Sequence, residues 1–439
     1  MKARSGPRTR AARRRAGPLA ALEGLGRAAA RFGLSVGAVS GAVLLCWSCA
    51  TFSARNAVHG GADAVLIRYA DPGARMIIQD SKWGPVGRLQ ESIDRYAERC
   101  GVAPVPQDGR FTRETAEAAR AIAACRGARD LAAGRHITVE TWQAITGQPA
   151  PDAYERAFTL ARTIEGTDYD RLEWNVCVNF RGDQGSVLTW GPNGKTLGWG
   201  GELLAVLKRL DRETVLLAFA AEGAEGGDRL LDLKTAKELH VESKHRYPQA
   251  RLLMEDVCRQ PGQMRAWSRA FARLGAMEQT QRVYDDVAWG DDAWFRYVVE
   301  RLSKSWRAAG LEPSEIDFAF FLDRSIHMGW GEARFDAIDT ALAREKACLA
   351  PGAFTNARAR LIVADAVRAK ARPEDRLARD AMFLVDSRAG LREAMSRSPT
   401  WPKNWRKLWA ARSGMAASDV GLSDARGAPA FPAPKPGAI

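Results

Sequence analysis

The chain has 439 residues, 46% of them hydrophobic, so two or three domains with real cores fit and wholesale disorder does not. The net charge of +13 is unevenly placed: residues 1–31 hold nine Lys/Arg against one Glu, 152–340 hold 25 basic and 31 acidic residues, and 341–412 hold 16 basic and 7 acidic. The stretch 152–340 is therefore net acidic and is not a basic body, which removes the main electrostatic argument for a nucleic-acid partner.

The basic tail, 1–31, leads into 21 uncharged residues, 32–52 (FGLSVGAVSGAVLLCWSCATF). A helix of about 20 apolar residues spans the hydrocarbon of a bilayer. Arg13, Arg14, Arg15, Arg27 and Arg31 before it place that side in the cytoplasm. The expectation is a single-pass anchor in the inner (cytoplasmic) membrane, with the N-terminus inside and the body in the periplasm or outside. The alternative is secretion after cleavage behind Ala50, and the long charged lead favours the uncleaved anchor. Gly33, Gly37 and Gly41 give overlapping GxxxG spacings, a hint of helix pairing.

Residues 53–82 read as a linker with strand-like runs at 64–69 and 76–78. Residues 83–147 read as a three-helix module. Leu89, Ile93 and Tyr96 recur at helical spacing, Asp108-Gly109 marks a turn, a second helix runs through Thr115, Ala118 and Ala119, and Thr138 caps a last short helix. Of the seven cysteines, Cys100 and Cys125 lie in this module and are the best candidate disulfide, two buried thiols being the alternative. The pieces Val86-Gly-Arg-Leu89-Gln90, Asp108-Gly109-Arg-Phe111-Thr112, Thr115 and Thr141-Trp142-Gln-Ala-Ile145 resemble the peptidoglycan-binding domain found on amidases and other wall hydrolases. The resemblance implies a module that concentrates its partner domain on the cell wall.

Gln-Pro-Ala-Pro-Asp at 148–152 is a second linker, and the second domain runs over 152–412. A hairpin is expected from Ser186–Trp190 and Thr196–Trp199 around Pro192-Asn193-Gly194-Lys195. Helical periods cover 201–210, 212–221, 231–240, 262–275, 291–309, 314–327, 332–350, 355–370 and 374–396. Residues 413–439 are small and Pro-rich and read as a disordered tail. The fold class expected is mainly α, with a transmembrane helix, a three-helix module and a two-lobed α+β helical domain carrying a small β-sheet.

The chemistry concentrates after the linker. An apolar helix ends at Glu165, and Asp183 opens a glycine-bounded strand segment containing Thr189. Glycoside hydrolysis needs a proton for the leaving oxygen and a base or nucleophile on the other face of the sugar. A Glu at the end of a packed helix is partly desolvated and held protonated, and an Asp in an exposed turn stays ionised to activate water. Thr189 is placed to hold that water. Asp168, Asp170, Glu173 and Glu202 compete for the same roles. Trp174, Trp190 and Trp199 offer flat faces for sugar rings, the rival reading being that at least one of them is core. Asp285, Asp286, Asp291 and Asp292 offer acidity for a cationic polymer, the rival reading being a solvated helix start.

These residues resemble the family 46 glycoside hydrolases, the chitosanases of the lysozyme superfamily, in which the acid Glu is followed eighteen residues later by the base Asp, as Glu165 is by Asp183. Arg282-Val283-Tyr284 and Asp323 with His327 and Gly329 match further on. The resemblance implies Glu165 as general acid, Asp183 as general base, and Asp323 with Arg360 and Arg376 as the groups holding the acid in place. Trp190, Trp199 and Asp170 are the candidate substrate contacts. Gly166 stands where the family has Asn, and Thr189 falls six residues after the Asp, where the family has five. Both put chitosan specificity in question.

The reading is a glycosidase cutting β-1,4 links in peptidoglycan or a chitosan-like glycan, with no cofactor and no metal. The rivals are a peptidoglycan lytic transglycosylase or muramidase, and an inactive wall-binding scaffold.

Overall fold

The computed structural model describes residues 65–67, 78–79, 84–128, 136–165, 168–177, 186–198, 201–234, 248–290, 293–327, 331–350, 352–366, 380–381, 383–384, 388–397 and 427–431. The chain divides into two units, Met1–Ala54 and Arg55–Ile439, and every described residue belongs to the second. The basic tail and the apolar segment 32–52 lie outside the described residues. Among the described residues no helix is long and apolar enough to cross a membrane.

The N-terminal module is built from α1 (Pro85–Ala97), α2 (Arg113–Cys125) and α3 (Val139–Thr146). Val86, Leu89 and Ile93 from α1, Ala119 and Ile122 from α2, and Trp142 and Ile145 from α3 close one core with Phe111. Each helix is started by local chemistry. Pro85 opens α1, where a missing N–H does no harm. Thr112 and Thr138 accept the N–H of Thr115 and Thr141 and so cap α2 and α3. The buried Gln90 explains why a Leu-Gln pair and an Asp-Gly turn travel together. Its carbonyl accepts the N–H groups of Asp108 and Gly109 at 3.1 and 2.8 Å, and its amide donates to the Asp108 carboxylate and the Arg110 carbonyl at 3.1 and 3.0 Å. Cys100, three residues past the end of α1, forms a disulfide with Cys125, the last residue of α2.

The module extends further toward the N-terminus than the sequence indicated. β1 (Val65–Ile67) pairs antiparallel with β4 (Ile137–Thr138), and β2 (Ile78–Gln79) with β3 (Arg110–Phe111). The strand-like runs assigned to the linker 53–82 thus supply edges to this module.

The second domain has two hydrophobic cores. One joins α4 (Ala153–Glu165), α11 (Trp294–Ala308), α12 (Glu315–His327), α13 (Glu332–Cys348) and α14 (Asn356–Ala366), with α15 (Arg388–Ser396) contributing Leu391. The other joins a three-stranded antiparallel sheet, β5 (Leu172–Glu173), β6 (Leu188–Trp190) and β7 (Lys195–Leu197), to five helices. These are α5 (Glu202–Arg209), α6 (Arg212–Ala221), α7 (Gly227–Leu231), α8 (Pro248–Arg259) and α9 (Gln263–Gly275). Helix α10 (Glu278–Trp289) belongs to both: Tyr284 is in the sheet core, and Ala288 and Trp289 are in the helical core.

The structure differs from the expected elements in four places. Helices α8 and α10 were not expected. α7 ends at Leu231 and 232–234 are not helical, while the rest of the helix expected at 231–240 lies outside the described residues. β5 adds a third strand to the expected hairpin. Part of the supposedly disordered tail is docked: Gly427 bridges to Ser314, the Ala428 N–H donates to the Pro313 carbonyl at 2.7 Å, and the Phe431 ring meets Tyr154, Trp289 and Phe318.

Candidate functional site

The site is assembled where α4 ends and the sheet begins. α4 buries Ala157, Leu160 and Ala161 against the helical core and packs along α12. Glu165 is its last residue, described as backbone. The chain then turns through Asp168, whose carboxylate accepts the Tyr169 N–H at 2.8 Å, and enters β5 seven residues after Glu165. That approach is pinned to the sheet. The Trp190 indole donates to the Tyr169 carbonyl at 2.6 Å, and the Gly191 N–H donates to the Arg171 carbonyl at 3.1 Å.

Strand alternation sorts the sheet into two faces. Leu172, Trp190 and Lys195 stand opposite one another on one face, and Glu173, Thr189 and Thr196 stand opposite one another on the other. The first face is buried and the second is half-buried and polar. Two further groups complete the polar face. The Asn175 amide donates to the hydroxyls of Ser186 and Thr189 at 2.8 and 2.9 Å, and those hydroxyls lie 3.0 Å apart. The Thr196 hydroxyl donates to Glu202 at 3.2 Å, and Glu173 pairs with Arg171 at 3.3 Å. Thr189 is therefore held in a closed triangle of polar groups. Two half-buried carboxylates share its face of the sheet or border it. Such a surface can orient a water or a sugar hydroxyl and can exchange protons with it.

The base of this face is tied down. Cys177, two residues beyond Asn175, forms a disulfide with Cys258 at the end of α8, with the Cα atoms 5.9 Å apart. The Trp174 indole donates to the Ser268 hydroxyl at 3.1 Å.

The buried face has a different character. Tyr284 from α10 lies under the hairpin turn. Its hydroxyl donates to the Trp190 carbonyl at 2.8 Å and accepts the N–H groups of Asn193 and Lys195 at 3.2 and 3.4 Å. The Lys195 amine is fully buried, 4.0 Å from the centre of the Phe295 ring. Burial pushes its pKa down to about 8, and the carboxylates of Glu202 and Asp285 oppose that shift.

The expected site residues fall into three groups. Thr189 is on the polar face, and Asp170 is exposed in the turn before β5. Trp190 is corrected: it is fully buried, edge-on to Phe271 and Tyr284, and cannot meet a sugar. Trp174 is likewise core. Asp323 is fully buried on α12 and pairs with Arg324 at 3.2 Å, and Arg324 also bonds Asp380. Arg360 donates to Asp317 at 2.6 Å, and Asp317 also accepts the Ser314 N–H and the Asn356 amide. Asp285 accepts the Tyr169 hydroxyl at 2.7 Å, and Asp286 pairs with Arg209. Asp183, Arg376, Trp199, Gly329, Asp291 and Asp292 lie outside the described residues, and so does the side chain of His327.

Asn175, Ser186 and Thr196 were missed as site residues, and so was the cross-strand row that sets Glu173 and Thr189 beside Thr196. The alternations Leu-Glu-Trp, Leu-Thr-Trp and Lys-Thr-Leu carried the signal, since each sends its middle residue to one face. Among the described residues no group of three His, Cys, Asp or Glu side chains is placed to hold a metal ion. No protein-family model, curated protein or solved structure matches the chain.

Proposed function

We propose that the protein is a glycoside hydrolase that cuts β-1,4 links in an amino-sugar polymer, peptidoglycan or a chitosan-like glycan. Glu165 acts as general acid and Asp183 as the general base of an inverting reaction, in which the carboxyls stand roughly 6.5–9.5 Å apart to admit a water. The observation that carries this reading is the Asn175–Ser186–Thr189 triangle on a polar sheet face, entered seven residues after a helix-terminal glutamate. A hydroxyl fixed in this way suits the holding of a nucleophilic water. The presence of two separate hydrophobic cores, one of them built on the sheet that carries the triangle, supports a two-lobed, lysozyme-like domain.

The N-terminal module holds this domain to the wall, and residues 32–52 anchor it with the body outside the cytoplasm. Two disulfides, Cys100–Cys125 and Cys177–Cys258, support an oxidising compartment.

The test is product analysis with the full-length chain on purified peptidoglycan and on chitosan, beside Glu165→Gln and Asp183→Asn. Cleavage that is lost in both variants supports the hydrolase. Cleavage that survives Asp183→Asn and yields anhydro ends points to a lytic transglycosylase. Wall binding with no cleavage of either polymer leaves a tethering scaffold.

A further inference from the structure

Two aromatic rings stand open on the surface of the helical lobe. Trp294 and Tyr297, one turn apart at the start of α11, are 45% and 39% exposed. They are the only large aromatic residues so exposed among the described residues. Their rings are stacked, with centroids 5.3 Å apart and planes at 28°.

The pair is held in place. The Tyr297 hydroxyl donates to Glu332 of α13 at 2.5 Å, and its ring meets Phe335 edge-on. Arg301 lies over the Phe335 ring and pairs with Asp339 at 2.6 Å. Residues 294, 297 and 301 thus share one face of α11, and 332, 335 and 339 share the face of α13 set against it. The aromatic pair is the open end of this seam. Phe295, next in the chain, lies under the Lys195 amine of the hairpin at 4.0 Å, so the rings sit where the helical lobe meets the sheet.

Size and rim decide what covers them. Two rings at these exposures offer roughly 200 Å², far below the ~1,200 Å² of a stable protein interface. Glu332 bonds the Tyr297 hydroxyl, and Glu300, Arg334 and Asp336 on the same two helices are exposed and charged, which bounds the apolar patch along both helices. A small flat apolar plate edged by a carboxylate matches a pyranose ring, which presents C–H bonds on its face and hydroxyl or amino groups at its rim. An ammonium group on the sugar gains further from the ring electrons and from Glu332.

We propose that Trp294 and Tyr297 form a second glycan-binding platform, taking sugar rings of an amino-sugar polymer apart from the bond that is cut. The ligand class rests on the glycosidase reading above.

The experiment measures co-sedimentation of full-length protein with insoluble peptidoglycan and chitosan, in a Glu165→Gln background, for Trp294, Trp294→Ala and Trp294→Phe. Turnover of a soluble chito-oligosaccharide is measured with Glu165 intact. The expected result is about a tenfold loss of polymer affinity in Trp294→Ala, recovery in Trp294→Phe, and unchanged oligosaccharide turnover. Loss of binding in Trp294→Ala supports the platform even where no polymer is cleaved, so the glycosidase reading can fail separately. Unchanged binding in Trp294→Ala overturns the platform, whatever is cleaved. It is equally overturned if Trp294→Ala leaves binding intact and abolishes a concentration-dependent dimer in sedimentation.

Discussion

The Tyr284 ring lies so close to Gly191 that a Cβ on the glycine would stand 2.7 Å from the ring and hydroxyl atoms. Gly191 also has φ at 78°, a backbone region that disfavours any side chain. The close approach lets one hydroxyl serve three backbone groups of the β6–β7 turn, those of Trp190, Asn193 and Lys195. Tyr284→Phe keeps the ring and removes that hydroxyl, so a loss of about 1–3 kcal/mol is expected. Urea unfolding followed by tryptophan fluorescence checks it. A variant as stable as the parent would mean that the turn does not depend on this contact. Gly191→Ala is expected to be worse, since it adds backbone strain to the clash.

Asn175 offers a test of the polar face that leaves the proposed acid and base untouched. Its amide is the common donor to Ser186 and Thr189. Asn175→Ala removes that donor from a half-buried position and frees the Thr189 hydroxyl to turn. If Thr189 holds the attacking water, kcat is expected to fall about 10²-fold, the scale of a misplacement near 1 Å. KM should change little, and the fold should persist by circular dichroism. Equal kcat in Asn175→Ala and the parent would remove Thr189 from the mechanism.

Lys195 gives a prediction with a defined sign. Its folded pKa is lowered from 10.5 to about 8 by burial. Between those values the unfolded chain holds a proton that the folded chain does not, so stability rises with pH across that window. Below pH 8 both states are charged and the full penalty is present. Lys195→Met removes the buried charge at similar volume and is expected to stabilise the protein at pH 7 by up to about 3 kcal/mol. The advantage should shrink from pH 8 upward and vanish above pH 10.5. Denaturation midpoints of the two proteins at pH 7, 9 and 10.5 measure it. A constant difference across that range would place the amine in water.

What was legible in the sequence depended on how apolar each buried face is. α9 and α11 bury Trp267 and Phe271, or Val298, Leu302 and Trp306, and their period is plain. α10 buries Thr280, Tyr284 and Ala288 with Trp289, a stripe too polar and too small to stand out. Yet α10 joins the two cores. The module was legible because Gln90, Thr112, Thr138 and Trp142 each have one architectural task that fixes the residue type. For the same reason, those residues speak to its fold and not to its ligand. Trp190 was misread because a large aromatic in a strand next to a candidate base fits a sugar platform and a core equally well. Its face of the sheet decides, and that depends on pairing with β5, a strand of two residues without a sequence signal of its own.

The C-terminal strap was hidden by composition. Gly427, Ala428 and Ala430 read as disorder, and Phe431 is an isolated apolar residue in a Pro-rich run. Its ring nevertheless lies against Tyr154 at the start of α4, Trp289 at the end of α10 and Phe318 on α12, with the Arg296 guanidinium over it at 5.1 Å. It thus contacts the helix that ends at Glu165 and the helix that joins the two cores. Half-burial of a phenylalanine is worth less than the ~3–5 kcal/mol of a fully buried one, so Phe431→Ala is expected to lose about 2 kcal/mol. Truncation after Arg426 should lose more, because the Ser314–Gly427 bridge and the Ala428–Pro313 hydrogen bond go with it. Thermal unfolding of the three proteins orders them. Hydrogen exchange should show the truncation loosening the first turns of α4 ahead of the N-terminal module, because the strap touches α4 directly. Exchange that rises equally in both places, or in neither, would show that the tail does not brace α4.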